Sequence, residues 1–178
     1  EPKVLTSDVT FHAGKIKTLN FAYDKVKDVS DYSGTYAILT KRSSGGYWYM
    51  TNDLGTASTS RFTAEAAGET LPEQGVALGA SKLWEISKSE DFYTVKSVGA
   101  GKYITYTSGN SANLGDEGIN FTIEKNEDGT YNLSYAVSDE IRYLSLNSTS
   151  GSDYFAIYKE GQRKDLSLIP AVQGEEPS

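Results

Sequence analysis

The feature that most constrains the fold is a stretch that returns. "LWEISKSEDFYTVKSVGAGKYITYTSG" (83–109) comes back as "FTIEKNEDGTYNLSYAVSDEIRYLSLNSTSG" (121–151), with Phe121 in the place of Trp84, Tyr131 in that of Tyr93 and Tyr143 in that of Tyr103. The spacing widens slowly along the stretch, as small loop insertions within a shared frame would make it. Self-similarity at a period of roughly 40 residues marks an array of one supersecondary unit that cannot bury its apolar face alone. A third copy opens at "GTYAILTKRSSGGYWYMTNDLG" (34–55), where Tyr36 matches Tyr93 and Tyr131, and Trp48 matches Tyr103 and Tyr143.

Helical periodicity is nearly absent, and short strand-like runs recur between Gly, Ser, Asn and Asp turns. Each unit carries four runs. First strands fall at 34–40, 92–97 and 130–135, second strands at 47–51, 102–107 and 142–147, third strands at 60–66, 111–115 and 154–159, and fourth strands at 83–87, 121–125 and 166–170. Three units of four strands predict an all-β chain, a β-trefoil of three four-stranded lobes over 34–170, which removes free edges by closing a short barrel. Alternation puts Tyr36, Tyr93 and Tyr131, with Ile38, Val95 and Leu133, on the inward face of the first strands. Trp84, Phe121 and Leu166 open the fourth strands and share a face with Ile86, Ile123 and Leu168. Ile104 and Leu144 point inward from the second strands, with Tyr49 at the matching place. Gly129 suits a positive φ in the turn "NEDGT". The first lobe is lengthened by a Gly- and Ala-rich insertion, 64–82.

The ends stand outside the repeat. Residues 1–23 read as a β-hairpin extension, which must pack on the trefoil or on something outside this sequence, and 24–33 as a charged connector. Residues 171–178 read as a polar tail that frays. Lys and Arg number 17 against 24 Asp and Glu, for a net charge of −7. An acidic chain without a basic cluster is a poor partner for nucleic acid or an anionic membrane, and no apolar run is long enough to span a bilayer. There is no Cys, which removes disulfides, thiol catalysis and Cys-held metals. No cofactor motif is present, and the chain reads as a monomer.

Catalysis has little to stand on. The sole His, His12, lies in the terminal hairpin, with no Gly-x-Ser-x-Gly nucleophile turn to serve. The carboxylate pairs Glu90-Asp91, Glu127-Asp128 and Asp139-Glu140 read as solvated residues of equivalent turns rather than as glycosidase acids. Threefold equivalence acts as a filter: a residue repeated in every lobe is explained by the barrel, whereas one found in a single lobe needs another reason. The single-lobe features are Tyr106, the loop "SGNSANLGDE" (108–117) and the pair Asp153-Tyr154. A sugar site needs an aromatic face for C–H groups and amide or carboxylate partners for hydroxyls. Tyr106 with Asn110, Asn113 and Asp116 offers that set, and so does Asp153 with Tyr154. Trp48 is a further aromatic candidate, although its equivalence to Tyr103 and Tyr143 argues for structure.

At "LWEISKSEDFYTVKSVGAGKYITYT" the chain resembles ricin-type β-trefoil modules, whose lobes run Trp-x-Ile, then a Tyr-x-Ile/Val strand, then Gly-Lys-Tyr-Leu. The resemblance covers about residues 34–170 and implies carbohydrate binding without catalysis. Lectin lobes place Gln two residues before the Trp, where this chain has Lys82 and Ile119, and Asp beyond the Gly-Lys-Tyr-Leu core, where it has Tyr106 and Leu146. Galactose-type recognition is therefore not carried over. "KRSSGGYWYMTNDLGTAS" and "YITYTSGNSANLG" are similar to modules at the ends of large exported proteins of gut anaerobic bacteria. "VTFHAGKIKTLNF" is similar to the last strands of fimbrillin-like or Ig-like domains, a resemblance that implies that 1–33 holds the end of an upstream β domain. Together these imply a secreted or cell-surface, non-catalytic module whose partners are a glycan and an upstream domain of the same polypeptide. The alternatives are a structural or protein-interaction module that positions that domain and, more remotely, a small hydrolase.

Overall fold

A computed structural model describes residues 30–147 and 153–175. The chain divides into two units, Glu1–Ser30 and Asp31–Ser178. The hairpin expected over 1–23 and most of its connector lie outside the described residues, and the fold below is that of the second unit.

The first lobe is built from β1 (Gly34–Lys41), β2 (Tyr47–Met50), β3 (Phe62–Gly68) and β5 (Trp84–Ser89), with an additional strand β4 (Val76–Leu78) inside the insertion. The second lobe is β6 (Phe92–Ser97), β7 (Tyr103–Thr105), β8 (Asn113–Gly115) and β9 (Thr122–Lys125). The third is β10 (Tyr131–Val137), β11 (Glu140–Asn147), β12 (Tyr154–Lys159) and β13 (Ser167–Gln173). Among the described residues no helix is long and apolar enough to cross a membrane.

The register repeats three times. Each first strand pairs antiparallel with the fourth strand of the lobe before it: Val95 faces Ile86, Leu133 faces Ile123, and Ile38 faces Leu168 across β1 and β13. Each first strand also touches the fourth strand of its own lobe, at Tyr36–Trp84, Tyr93–Phe121 and Tyr131–Leu166. The β1–β13 ladder joins the first lobe to the last and closes the ring. The arrangement is a β-trefoil, as the repeat predicts.

Alternation fills the ring in layers. Ile38, Val95 and Leu133, then Trp84, Phe121 and Leu166, then Ile86, Ile123 and Leu168 are all buried in one core. Phe62, Ala112 and Phe155 add a third-strand layer. Phe62 meets Trp84 edge-on at 5.2 Å between ring centroids, and the Trp84 indole N–H donates to the Met50 carbonyl at 3.0 Å.

The first lobe departs from its expected register by one residue. Leu39 pairs with Tyr49, Lys96 with Tyr103, and Ser134 with Tyr143, so Tyr49 rather than Trp48 is the partner of Tyr103 and Tyr143. Met50, fully buried, takes the inward place expected of Tyr49 beside Ile104 and Leu144. Because side chains alternate, a shift of one residue exchanges faces completely. Tyr49 points instead into a second, smaller cluster with Ala37, Leu39, Leu83 and Ala171.

That cluster explains the insertion and the end of the chain. Ala37 and Leu39 face away from the barrel, and outward apolar side chains on a central strand need a cover. β4 lies parallel to the end of β13, with Ala171 opposite Val76 and Gln173 opposite Leu78, and Val76, Leu78 and Ile169 pack on the cluster. Strand structure therefore runs through Gln173, beyond the expected boundary at 170.

Tyr32, assigned by sequence to the connector, packs against the main core. Its ring lies 5.5 Å from Tyr131 and 6.0 Å from Tyr93, and its backbone N–H donates to the Tyr93 hydroxyl at 3.3 Å. Tyr93 is buried, while Tyr36 and Tyr131 are half-buried at the same end. Burial is the main cause that pushes the Tyr36 hydroxyl above its ordinary pKa.

Trp84→Ala is expected to cost about 3–5 kcal/mol, the range for truncating a large buried aromatic, with the Met50 carbonyl left unpaired. Urea unfolding of the variant beside the parent measures it. A loss under about 1 kcal/mol would contradict the layered core.

Candidate functional site

β7 and β8 form a hairpin in which Tyr103 opposes Gly115 and Thr105 opposes Asn113, so residues 106–112 make its tip. The tip is tied from within. Buried Ser111 accepts backbone N–H groups from Thr107 and Ser108, each at 3.2 Å, and its hydroxyl lies 3.0 Å from that of Thr107. The tip is also tied to the segment before β3, for the Ala112 N–H donates to the Ser60 carbonyl at 2.8 Å. Between the two segments lies an open cleft of about 320 Å³ lined by Ser58, Thr59, Ser60, Thr107, Ser108, Gly109, Asn110 and Ser111. Its walls are hydroxyls, one amide and backbone, with no titratable side chain.

Arg142 holds this cleft from behind. It is buried on β11, and its Nη1 donates to the carbonyl of Gly109, to Asn110 Oδ1 at 3.1 Å and to the Ile157 carbonyl at 3.2 Å. Its Nε lies 2.9 Å from Glu140 Oε2, and Lys159 lies 2.9 Å from the other oxygen of the same carboxylate. The Lys159 and Arg142 contacts hold the Glu140 carboxyl below its ordinary pKa, with the Lys159 hydrogen bond the largest cause.

The sequence-derived residues divide between two places. Asn110 lines the cleft, whereas Tyr106, expected as a stacking face, stands beside it and packs against the main core. The Tyr106 hydroxyl donates to the Gly109 carbonyl at 3.0 Å, and its ring stands edge-on to Tyr135 at 5.6 Å with the Arg142 guanidinium 5.7 Å from its centroid. Asn113 sits at the rim, where its Oδ1 accepts the Leu114 N–H at 2.8 Å and its Nδ2 reaches Ser60 at 3.4 Å. Asp116 lies at the far end of the hairpin, about 10 Å along the strand from Asn113, in an exposed ion pair with Lys102 at 2.7 Å.

The other place lies at the meeting of the first and third lobes. There the Arg42 guanidinium stands 5.1 Å from the Trp48 ring, and its Nε lies 3.4 Å from Asp153 Oδ1. Tyr154 carries the Arg61 guanidinium over its ring at 4.3 Å. In the corrected register the places equivalent to Trp48 belong to Lys102 and Arg142. Trp48 is thus a single-lobe feature, and the filter that had set it aside now selects it.

The carboxylate pairs are not all equivalent. Glu90-Asp91 forms the β5–β6 turn and Glu127-Asp128 belongs to the matching β9–β10 turn, but Asp139-Glu140 lies in the β10–β11 hairpin. Asp128 spends its oxygen on the Thr130 N–H and hydroxyl, at 2.9 and 2.5 Å. No group of three or more His, Asp or Glu that could hold a metal occurs among the described residues, and His12 lies outside them. Sequence reasoning missed Arg142, read as the first residue of the strand 142–147, and the cleft wall Ser58–Ser60, although the hydroxyl run "TASTS" was its signal.

No family model and no curated protein matches the chain. Among solved structures it is similar to the Rhizoctonia solani agglutinin, with a TM-score of 0.55 and 14% identity over 80% of this chain and 98% of that one. It is also similar to the Macrolepiota procera ricin B-like lectin in complex with lactose, with a TM-score of 0.53 and 14% identity over 79% and 99%. A third likeness is to the cytolethal distending toxin from Actinobacillus actinomycetemcomitans, at 0.50 and 12% over 79% and 95%. At these identities the likeness is one of fold.

Two outcomes follow from Arg142. Arg142→Ala strands the buried Ile157 carbonyl and is expected to lower the unfolding free energy by about 2–4 kcal/mol, with new proteolytic cleavage at 108–111 as the local readout. Glu140 has a depressed folded-state pKa, so its contribution is present above the unfolded pKa and lost as pH falls through the folded one. Glu140→Gln should therefore be less stable than the parent at neutral pH, and the two unfolding midpoints should converge below the carboxylate range.

Proposed function

We propose that this chain is a non-catalytic glycan-binding module of an exported protein, with the cleft between 58–60 and 107–111 as its site. The observation that carries the reading is the chemistry of that cleft. Neutral hydroxyl, amide and backbone groups converge on one open space with no acid or base among them. Such a wall suits the hydroxyls of a neutral sugar and gives hydrolysis nothing to work with. Asn110 is the specific hydroxyl partner, with Asn113 at the rim. Tyr106 acts beside them by fixing the Gly109 carbonyl. Asp116 stands too far along the hairpin to share this ligand, while Trp48, Asp153 and Tyr154 form a separate candidate place.

The trefoil shared with the lactose-bound mushroom lectin is compatible with sugar binding, and function still has to rest on the site. Export and attachment to an upstream domain are part of the proposal, and the resemblance of "KRSSGGYWYMTNDLGTAS" and "VTFHAGKIKTLNF" to parts of exported proteins supports them. A shallow cleft with a few hydrogen bonds supports affinities of roughly −4 to −8 kcal/mol, the millimolar-to-micromolar range.

A glycan array with the whole chain, followed by calorimetry on any neutral sugar it returns, tests the reading. Asn110→Ala is expected to abolish measurable binding. Tyr106→Phe keeps the ring packing but loses the bond to Gly109, and should lower the unfolding free energy by about 0.5–1.5 kcal/mol, the worth of one hydrogen bond, while weakening binding less than Asn110→Ala does. No neutral ligand on the array, or full affinity in Asn110→Ala, would shift the balance to a module that only positions its neighbour.

A further inference from the structure

A second cleft, larger and of opposite character, opens where the first and last lobes meet. Its volume is about 650 Å³, within the roughly 300–1,000 Å³ of small-molecule sites. It is lined by Lys41, Arg42, Arg163 and Lys164 against two carboxylates, Asp128 and Asp165. Four cations around one hollow are notable in a chain whose net charge is −7.

The cleft is built rather than accidental. Thr40 Oγ1 donates to the Asp165 carbonyl at 2.8 Å and Lys164 Nζ donates to Ser43 Oγ at 3.2 Å, so the β1–β2 turn and the stretch before β13 are pinned together across the seam. Tyr47, half-buried, and Leu71, which the insertion leaves 38% exposed, supply an apolar wall.

The positive charge is only partly neutralised in place, for Arg42 pairs with Asp153 and Arg163 has carboxylates at the edge of ion-pair range. Among the described residues Lys41 has no ion-pair partner and stands 5.8 Å from the Tyr47 ring centroid. Arg163 lies over Tyr143 at 5.2 Å, with its nearest carboxylate oxygens at 3.9 and 4.0 Å. Asp128 is turned to Thr130 and is held below its ordinary pKa chiefly by that hydroxyl.

The barrel does not require Lys41, Arg42 or Arg163, whereas Lys164 has Lys82 at the matching place of the first lobe. Counted from the threefold register, the places of Lys41 and Arg42 belong to Val98 and Gly99 in the second lobe and to Ala136 and Val137 in the third. That of Arg163 belongs to Ser81 and Gly118. Arginine forks match sulfate and carboxylate oxygens, and lysine adds a point charge. An apolar wall beside them suits the C–H face of a pyranose ring.

We propose that this seam cleft binds a sulfated glycan, with Lys41 and Arg163 as its principal anion contacts and Tyr47 and Leu71 against the sugar ring. The proposal shares with the preceding reading only that the module takes carbohydrate. The two sites differ in ligand charge and in residues.

Calorimetry of the whole chain with a heparin-type tetrasaccharide and its fully desulfated counterpart separates them. The sulfated probe should bind at low salt and weaken steeply as salt rises, since exposed charges are screened, and the desulfated probe should bind at least tenfold more weakly. The double variant Lys41→Ala/Arg163→Ala should weaken the sulfated probe at least tenfold. Lys125→Ala, an exposed cation outside the cleft, should not change it, and neutral-sugar binding at the hydroxyl-lined cleft should be untouched. Equal affinity for both probes, parental affinity in the double variant, or an equal loss in Lys125→Ala would overturn the proposal. A silent neutral array with sulfated binding retained would sink the hydroxyl-lined site and leave this one standing.

Discussion

Everything in this fold hangs on three crossings, Tyr36–Trp84, Tyr93–Phe121 and Tyr131–Leu166. At each, a first strand leaves the fourth strand of the preceding lobe and touches the fourth strand of its own. The fourth-strand member of each pair is fully buried, and the three meet in one core. A lobe by itself would expose that residue to water, so no lobe is stable without the other two. The loops between strands are then free to differ, and this is where both clefts lie.

The departures from threefold symmetry have physical causes. Ala37 and Leu39 are apolar on the outer face of β1, and the insertion with the end of β13 supplies a second small core for them. Tyr32 occupies the end of the barrel between two of the three first-strand tyrosines. Arg142, at the place of Lys102 in the second lobe, turns inward where the lysine stays in solvent, and a loop from another lobe closes on it.

The barrel was legible because its signals are repeated: three tyrosines, three fourth-strand openings and their alternating partners each announce themselves three times. Where a signal occurs once, the reading weakened. In "YWYM" four large apolar residues in a row leave the face undetermined, and the choice of Tyr49 over Met50 for the interior inverted the strand. The shared neighbourhood of Tyr106 and Asn110 was legible from their closeness in the chain. Arg142 was not, because a residue 32 positions from Asn110 reaches it only through tertiary packing. The seam cleft was hidden for the same reason, since its cations are split between 41–42 and 163–164 and neither pair alone forms a basic cluster.

The β1–β13 ladder joins residues at opposite ends of the trefoil, Tyr36 with Pro170 and Leu39 with Ser167. During synthesis the first strand must therefore wait for almost the whole domain to emerge before its partner exists. Until then its inner and outer apolar faces both lack cover, and the edge meant for β13 stands open to any other extended chain. The seam is in that sense the last part of this domain to close. The two partial lobes flanking that seam are where a crowded or interrupted ribosome would first produce misassembled chains.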